Sequence, residues 1–460
     1  MIRTLLVSAC VAAVALPAVA APPPGLHDQA LEILTTGVRF RTVNPGDQMV
    51  PYADYLKSVL VKAGYRPDEI TIRPMAGTAA LIARYPGSDR SKKPIVILGH
   101  MDVVEAKRED WERDPFKAVV ENGYVYGRGA EDNKFDVSMV VATLAQLRRE
   151  GWKPGREVIL ALSGDEETKM VTTQWLANEL KGAEFALNAD GGGGTLDAEG
   201  KPVAYGLQAA EKTYADFTLT LTDPGGHSSA PTPGNPIYRM SQALKKLDAY
   251  RFPVMANEIT RASAAAMADK RPGAVGQALK RFAANPQDPQ AIATLSADKD
   301  IAPQLRTTCV ATMISGGHAP NALPQRAEAT VNCRIFPGTP AEEVRKTLDQ
   351  VMAEPGLTVA RVTDDGSVDS PASPLRPDVM AAVKKAVNAR YPGLPVTPSM
   401  SSGATDSMHF RALGVPSYGV SGLFMRNEDS FAHGLNERAP VAAIDGSLDH
   451  WRSLLKDLAK

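Results

Sequence analysis

Cysteine is scarce: Cys10, Cys309 and Cys333 are the only three in 460 residues. Neither Cys309 nor Cys333 has a cysteine or histidine at close spacing, which excludes a zinc–thiolate site. Charge of one sign is also missing. Lys and Arg number 51 against 52 Asp and Glu, a formal net charge of -1. That balance gives no electrostatic reason to expect nucleic acid or an anionic membrane as a partner. There is no internal repeat and no long charge block.

Long apolar runs are confined to the N-terminus, where Leu5 to Leu16 follow Arg3 and precede Ala18-Val19-Ala20. A positive start, a short apolar stretch and a small-residue cleavage site describe a secretory signal peptide over residues 1–20. The run is shorter than the roughly 20 residues that span a bilayer, so no stable membrane anchor is expected. The expected location is across the inner membrane, in the periplasm. Cys10 leaves with the leader, and the remaining pair would meet an oxidising compartment.

What is present is a succession of apolar patterns. Helical spacing runs from Asp28 to Gly64, broken near Asn44-Pro45-Gly46. Short apolar runs end at His100, at Gly164-Asp165-Glu166-Glu167 and at Asp190-Gly191-Gly192, with a helical stretch from Phe135 to Glu150 between the first two. Buried strands alternating with helices predict an α/β fold, a mixed but mostly parallel sheet covered by helices. The style changes near Gly206. Asp216 to Thr222 alternates strictly, Ile237 to Tyr250 is helical, Thr307 to Ile314 and Glu328 to Ile335 are strands, Pro340 to Met352 is a helix, and Leu357 to Val362 a strand. That order predicts an α+β unit of split βαβ type, with a helical insertion near 251–305. From Ser367 the first style returns. The expected organisation is a discontinuous unit of 24–205 and 367–460, with 206–366 inserted as a lid. Cys309 and Cys333 lie equally far from residue 321, where a simple hairpin would turn. They would face each other, giving a disulfide or two buried thiols.

In open α/β sheets the chemistry lies beyond the carboxyl ends of the strands. His100 and Asp102, Glu166 and Glu167, and Asp190 all sit at such ends. Asp132 lies in a Gly-rich loop and His433 near the C-terminus. A single strand-end carboxylate is more often a helix cap. Together these residues offer imidazole and carboxylate ligands without sulfur, a set that suits two zinc ions sharing a carboxylate. In the Glu166-Glu167 pair the side chains diverge, so one can bind metal while the other moves a proton.

Six segments occur in order: Gly99-His100-Met101-Asp102, Gly127-Arg128-Gly129-Ala130-Glu131-Asp132, Asp165-Glu166-Glu167, Gly226-His227-Ser228-Ser229, Asn321-Ala322-Leu323-Pro324 and Ala432-His433-Gly434. In these the chain resembles the di-zinc peptidase family of aminoacylase, carboxypeptidase S, carnosinase-type dipeptidases and succinyl-diaminopimelate desuccinylase. The resemblance implies His100, Asp132, Glu167, Asp190 and His433 as ligands for two zinc ions per subunit, Asp132 bridging, with Co2+ or Mn2+ able to substitute. It implies Glu166 as general base, Asp102 as the group orienting His100, and His227 as an oxyanion donor acting across a homodimer. Asn321, Arg334 and Gly403 would bind substrate. The expected activity is hydrolysis of dipeptides or small peptides, with N-acyl amino acid deacylation as the alternative. A non-catalytic metal- or solute-binding protein is the rival of another class, disfavoured because it needs no proton carrier.

Overall fold

The computed structural model describes residues 25–364 and 366–460; the leader read at 1–20 lies outside them. Ten strands form the larger sheet. Its order is Ile70–Met75, Thr78–Tyr85, Val158–Ser163, Ile95–His100, Phe185–Asn188, Ser417–Gly419, Pro202–Glu211, Gly193–Leu196 and Phe424–Arg426, with Val396–Ser401 also pairing Pro202–Glu211. Ile95–His100 runs parallel to both of its neighbours, so three carboxyl ends emerge side by side. Every residue of Ile95–His100 and Val158–Ser163 is buried. The reason is visible in the alternation of side chains across a strand. Ile95 and Ile97 enter the main core with Phe135, Val140 and Leu454, whereas Val96 and Leu98 enter a second core with Leu176 and Phe410. A strand with helices on both faces must be apolar throughout.

The four-stranded sheet has the order Thr308–Gly316, Arg326–Ile335, Thr213–Thr222, Thr358–Arg361, antiparallel throughout. With the helices Pro236–Ala249 and Ala341–Met352, the order matches the split βαβ expectation. Thr213–Thr222 alternates between buried and partly buried residues. Its inward residues, Ala215, Phe217, Leu219 and Leu221, pack with Met240, Leu247, Val344 and Leu348 of the two helices. The outer strand Thr308–Gly316 lacks such cover: Val310, Met313 and Ile314 are exposed. Cys309 pairs with Cys333 in the strand register, and the two form a disulfide.

The strand Pro202–Glu211 stays in the larger sheet to its end, so the chain crosses between sheets at Lys212, beyond the expected boundary at 205. The stretch near 251–305 folds as Glu258–Ala268, Gly273–Ala284, Pro289–Ser296 and a 3-10 turn, Ala302–Leu305. It has a small core of its own around Leu279, Phe282, Leu295 and Leu305. Among the described residues no helix is long and apolar enough to cross a membrane.

Candidate metal centre

The three parallel strand ends deliver His100, the Glu166-Glu167 pair and Asp190 to one place. Two loops complete it, one carrying Asp132 ahead of the helix Lys134–Arg149 and one carrying His433, whose backbone is left-handed at φ 62°. Ligand atoms of His100, Asp132 and Asp190 lie within 4.8 Å of one another, and so do those of Asp132, Glu167 and His433. Asp132 belongs to both groups. Its Oδ1 is 2.9 Å from His100 Nε2 and its Oδ2 3.3 Å from His433 Nε2. Glu167 Oε1 is 2.8 Å from the same His433 nitrogen. A third group joins Glu166 to His100 and Glu167.

The charges fit a cation. Burial, and then the neighbouring Asp132, push the Asp190 carboxyl well above its ordinary range. Burial does the same to Glu166, with Asp190 adding to it. At Asp132 burial is overcome by hydrogen bonds from His100 and His433, which hold its carboxyl well below that range. Asp132 and then Glu167 push His433 up to about 10. Four carboxylates crowd around two imidazoles, and divalent ions would relieve the burial and repulsion that disfavour ionised Asp190 and Glu166. The donors are nitrogen and oxygen without sulfur, which zinc accepts.

Asp102 is fully buried and does more than expected. His100 Nδ1 lies 3.1 Å from the Asp102 backbone carbonyl and 3.5 Å from its carboxylate. The carboxylate also accepts the backbone N–H groups of Glu166 and Glu167, at 3.1 and 3.0 Å. One side chain therefore braces a histidine and the glutamate pair together, as partners of ligating groups commonly do.

Two further carboxylates escaped the sequence reading. Glu437, fully buried, accepts the backbone N–H groups of Gly129, Glu131 and Asp132 at 3.0, 2.8 and 3.0 Å and pairs with Arg128. Glu131 returns the favour, accepting Phe431 N–H at 2.7 Å and Ser430 Oγ–H at 2.8 Å. Each ligand-bearing loop thus holds the other by its backbone. The one available signal was Glu437 standing four residues beyond His433. Asn188 accepts the N–H of Asp190 at 2.9 Å, and Asp406 accepts Ser163 Oγ–H at 2.8 Å beneath the site.

The remaining predicted residues lie elsewhere. Arg334, on Arg326–Ile335, donates to the carbonyl of Ser402 at 2.9 Å, beside Gly403, and its guanidinium lies over Tyr214. His227 is exposed on the short strand Gly226–His227, with Nδ1 2.7 Å from Ser229 Oγ. Asn321 accepts the N–H of Ser228 at 3.1 Å. These two accompany each other and make no hydrogen bond to the ligand cluster.

Strand-end ligands shared by one carboxylate are the equipment of a metal-dependent hydrolase. The chain belongs to the peptidase family M20/M25/M40, whose model matches residues 96–457; it is a hydrolase of metallopeptidase type. It is similar to the N-fatty-acyl-amino acid synthase/hydrolase PM20D1 of Xenopus tropicalis, 27% identical over 451 residues, covering 93% of this chain and 86% of that protein. It is also similar to the probable carboxypeptidase S-like 2 of Dictyostelium discoideum, 26% identical over 397 residues, 83% of this chain and 75% of that one. Among solved structures, an M20 metallo-carboxypeptidase of Sulfolobus solfataricus aligns with TM-score 0.70 at 21% identity, covering 94% and 99% of the two chains. A dinuclear metal-binding M20 peptidase of Bacillus subtilis aligns with TM-score 0.59 at 13% identity, covering 95% and 99%.

Proposed function

We propose that the chain hydrolyses the amide bond of dipeptides or small peptides, at a site for two zinc ions, with Glu166 as general base. The observation carrying this is Asp132, which points one carboxylate oxygen at each of two histidines. His100, Asp132 and Asp190 would hold one ion; Asp132, Glu167 and His433 the other. Bound zinc would lower the pKa of a water and polarise the scissile carbonyl. Glu167 is committed to His433, which leaves Glu166, one residue away, to take a proton from the attacking water and deliver it to the leaving nitrogen. Arg334 offers a two-pronged donor for the substrate carboxylate, and Gly403 lets backbone approach closely beside it.

A second reading has support of its own. The Xenopus relative's name specifies N-fatty-acyl amino acids, and the same residues would cleave an N-acyl amide next to a free carboxylate. We further propose a homodimer through the uncovered strand Thr308–Gly316, with His227 donating to the oxyanion in the partner's site, and export to the periplasm on the strength of the leader. A disulfide suits that compartment.

The test is an assay of zinc-loaded protein on dipeptides and N-acyl amino acids, before and after chelation. Chelation should abolish turnover and zinc or cobalt restore it. Full turnover by protein shown to be metal-free would contradict the reading.

A further inference from the structure

The helical insertion borders a half-open cavity that the ligand cluster does not use. It measures about 290 Å³ and lies between Glu258–Ala268, Gly273–Ala284, the turn Ala302–Leu305 and residues Ser399 and Met400. Ala264, Met267, Leu279, Phe282, Ile301 and Met400 make its walls apolar, Asp300 and Gln304 also line it, and among the described residues no basic side chain does. The cavity adjoins the substrate-binding segment. Gln304 donates to Ser402 Oγ at 3.2 Å, and the carbonyl of that same Ser402 accepts from Arg334 at 2.9 Å. Two hydrogen bonds through one residue therefore separate the cavity wall from the guanidinium. The turn is fixed there as well. Lys212, at the crossing between the sheets, donates from Nζ to the carbonyls of Pro303 and Arg306 at 2.5 and 2.7 Å.

We propose that this cavity is the side-chain pocket for the carboxylate-bearing residue of the substrate, and that it takes a large uncharged apolar group such as that of Leu, Met or Phe. The proposal rests on the reading of Arg334 as the carboxylate holder. An amino acid whose carboxylate meets Arg334 has its side chain only one carbon away, within reach of a wall that begins at Gln304. The apolar walls reward burial of a leucine-sized group by about ten- to a hundredfold in affinity over alanine. An acidic side chain would lose its water with no cation to replace it, and Asp300 would repel it.

The experiment measures kcat/KM of the zinc-loaded full chain on N-acetyl derivatives of Ala, Leu, Phe and Asp, and on N-octanoyl-leucine. Wild type, Ser263→Phe and Met267→Trp, which fill the cavity, and Met267→Ala, which enlarges it, are compared after their thermal melts confirm folding. Wild type should favour Leu and Phe over Ala by about ten- to a hundredfold, with Asp poorest. The filling variants should cut that ratio at least tenfold, and Met267→Ala should shift it towards Phe. A Leu-to-Ala ratio unchanged in all three variants overturns the pocket while hydrolysis itself leaves the functional reading standing. Variants that lose the octanoyl-over-acetyl preference instead would assign the cavity to the acyl tail and overturn the proposal. No hydrolysis of any of these amides by metal-loaded wild type would overturn the functional reading and the pocket together.

Discussion

The ligand-bearing end of the larger sheet and the outer strand of the smaller one are built on opposite terms. At the first, the backbone carrying the candidate side chains is held within the chain: Asp102 braces His100 and the N–H groups of both glutamates, and Glu437 and Glu131 lock the two loops. At the second, Val310, Met313 and Ile314 face outward at 60–69% exposure, and among the described residues the His227 side chain hydrogen-bonds only to Ser229. An unpaired apolar edge is a template for another strand. The metal end is braced within one chain, whereas the surface carrying His227 is left exposed. Cover by a second copy is the reading proposed above.

The largest effect should come from breaking that second surface. His227→Ala should lower kcat by roughly a hundred- to a thousandfold, the scale of a lost oxyanion donor, about 2.7–4 kcal/mol. Mixed with Glu166→Gln under conditions of subunit exchange, it should recover part of the activity. Failure to complement, with exchange demonstrated separately, would place the missing surface elsewhere.

Acid should loosen the two regions in a fixed order. His450, buried on the helix Ile444–Leu458, has its pKa lowered by burial to about 4, from an ordinary 6.5. Its neutral form is the folded one, so the stability is whole above pH 6.5. It falls as the unfolded chain takes up the proton between pH 6.5 and 4. The limit is about 3 kcal/mol. Hydrogen exchange at pH 7 and 4.5 should show the protection of 444–458 falling before that of the disulfide-linked strands. His450→Gln should shrink the difference. The same acid slope in wild type and variant would contradict it.

A smaller effect sharpens the first region. Glu437→Gln keeps the shape but weakens three backbone hydrogen bonds beneath Asp132. Chelator competition should find metal held about 10–100-fold less tightly, with the fold and the strand-edge behaviour unchanged. Unaltered affinity would mean that the loop around Asp132 is rigid without Glu437.

The same comparison explains what the sequence made legible. His100, Glu166, Glu167 and Asp190 follow short apolar runs, and a run buried on both faces announces its own end. That Cys309 and Cys333 face each other was readable because they sit symmetrically about a turn, whereas the bond itself was left open beside two buried thiols; the irregular pairing between Ala311 and Met313 lies on the tip side of them. Thr78–Tyr85 and Pro202–Glu211 were not read as strands, since alanine in both weakens the β signal. Glu437 was missed because most of its partners are backbone amides some three hundred residues away, which carry no residue type, and its side-chain partner Arg128 is equally distant in sequence. The roles of His227 and Asn321 rest on resemblance alone, for among the described residues neither hydrogen-bonds to the ligand cluster.

The central claim is that Glu166 moves protons while Glu167 binds metal, and Glu166→Gln tests it most directly. Elemental analysis of the dialysed variant, read beside its kcat, should give the same metal per chain as wild type with turnover down about a hundredfold or more. A variant that loses metal yet keeps its turnover per bound ion would contradict the account and exchange the two roles.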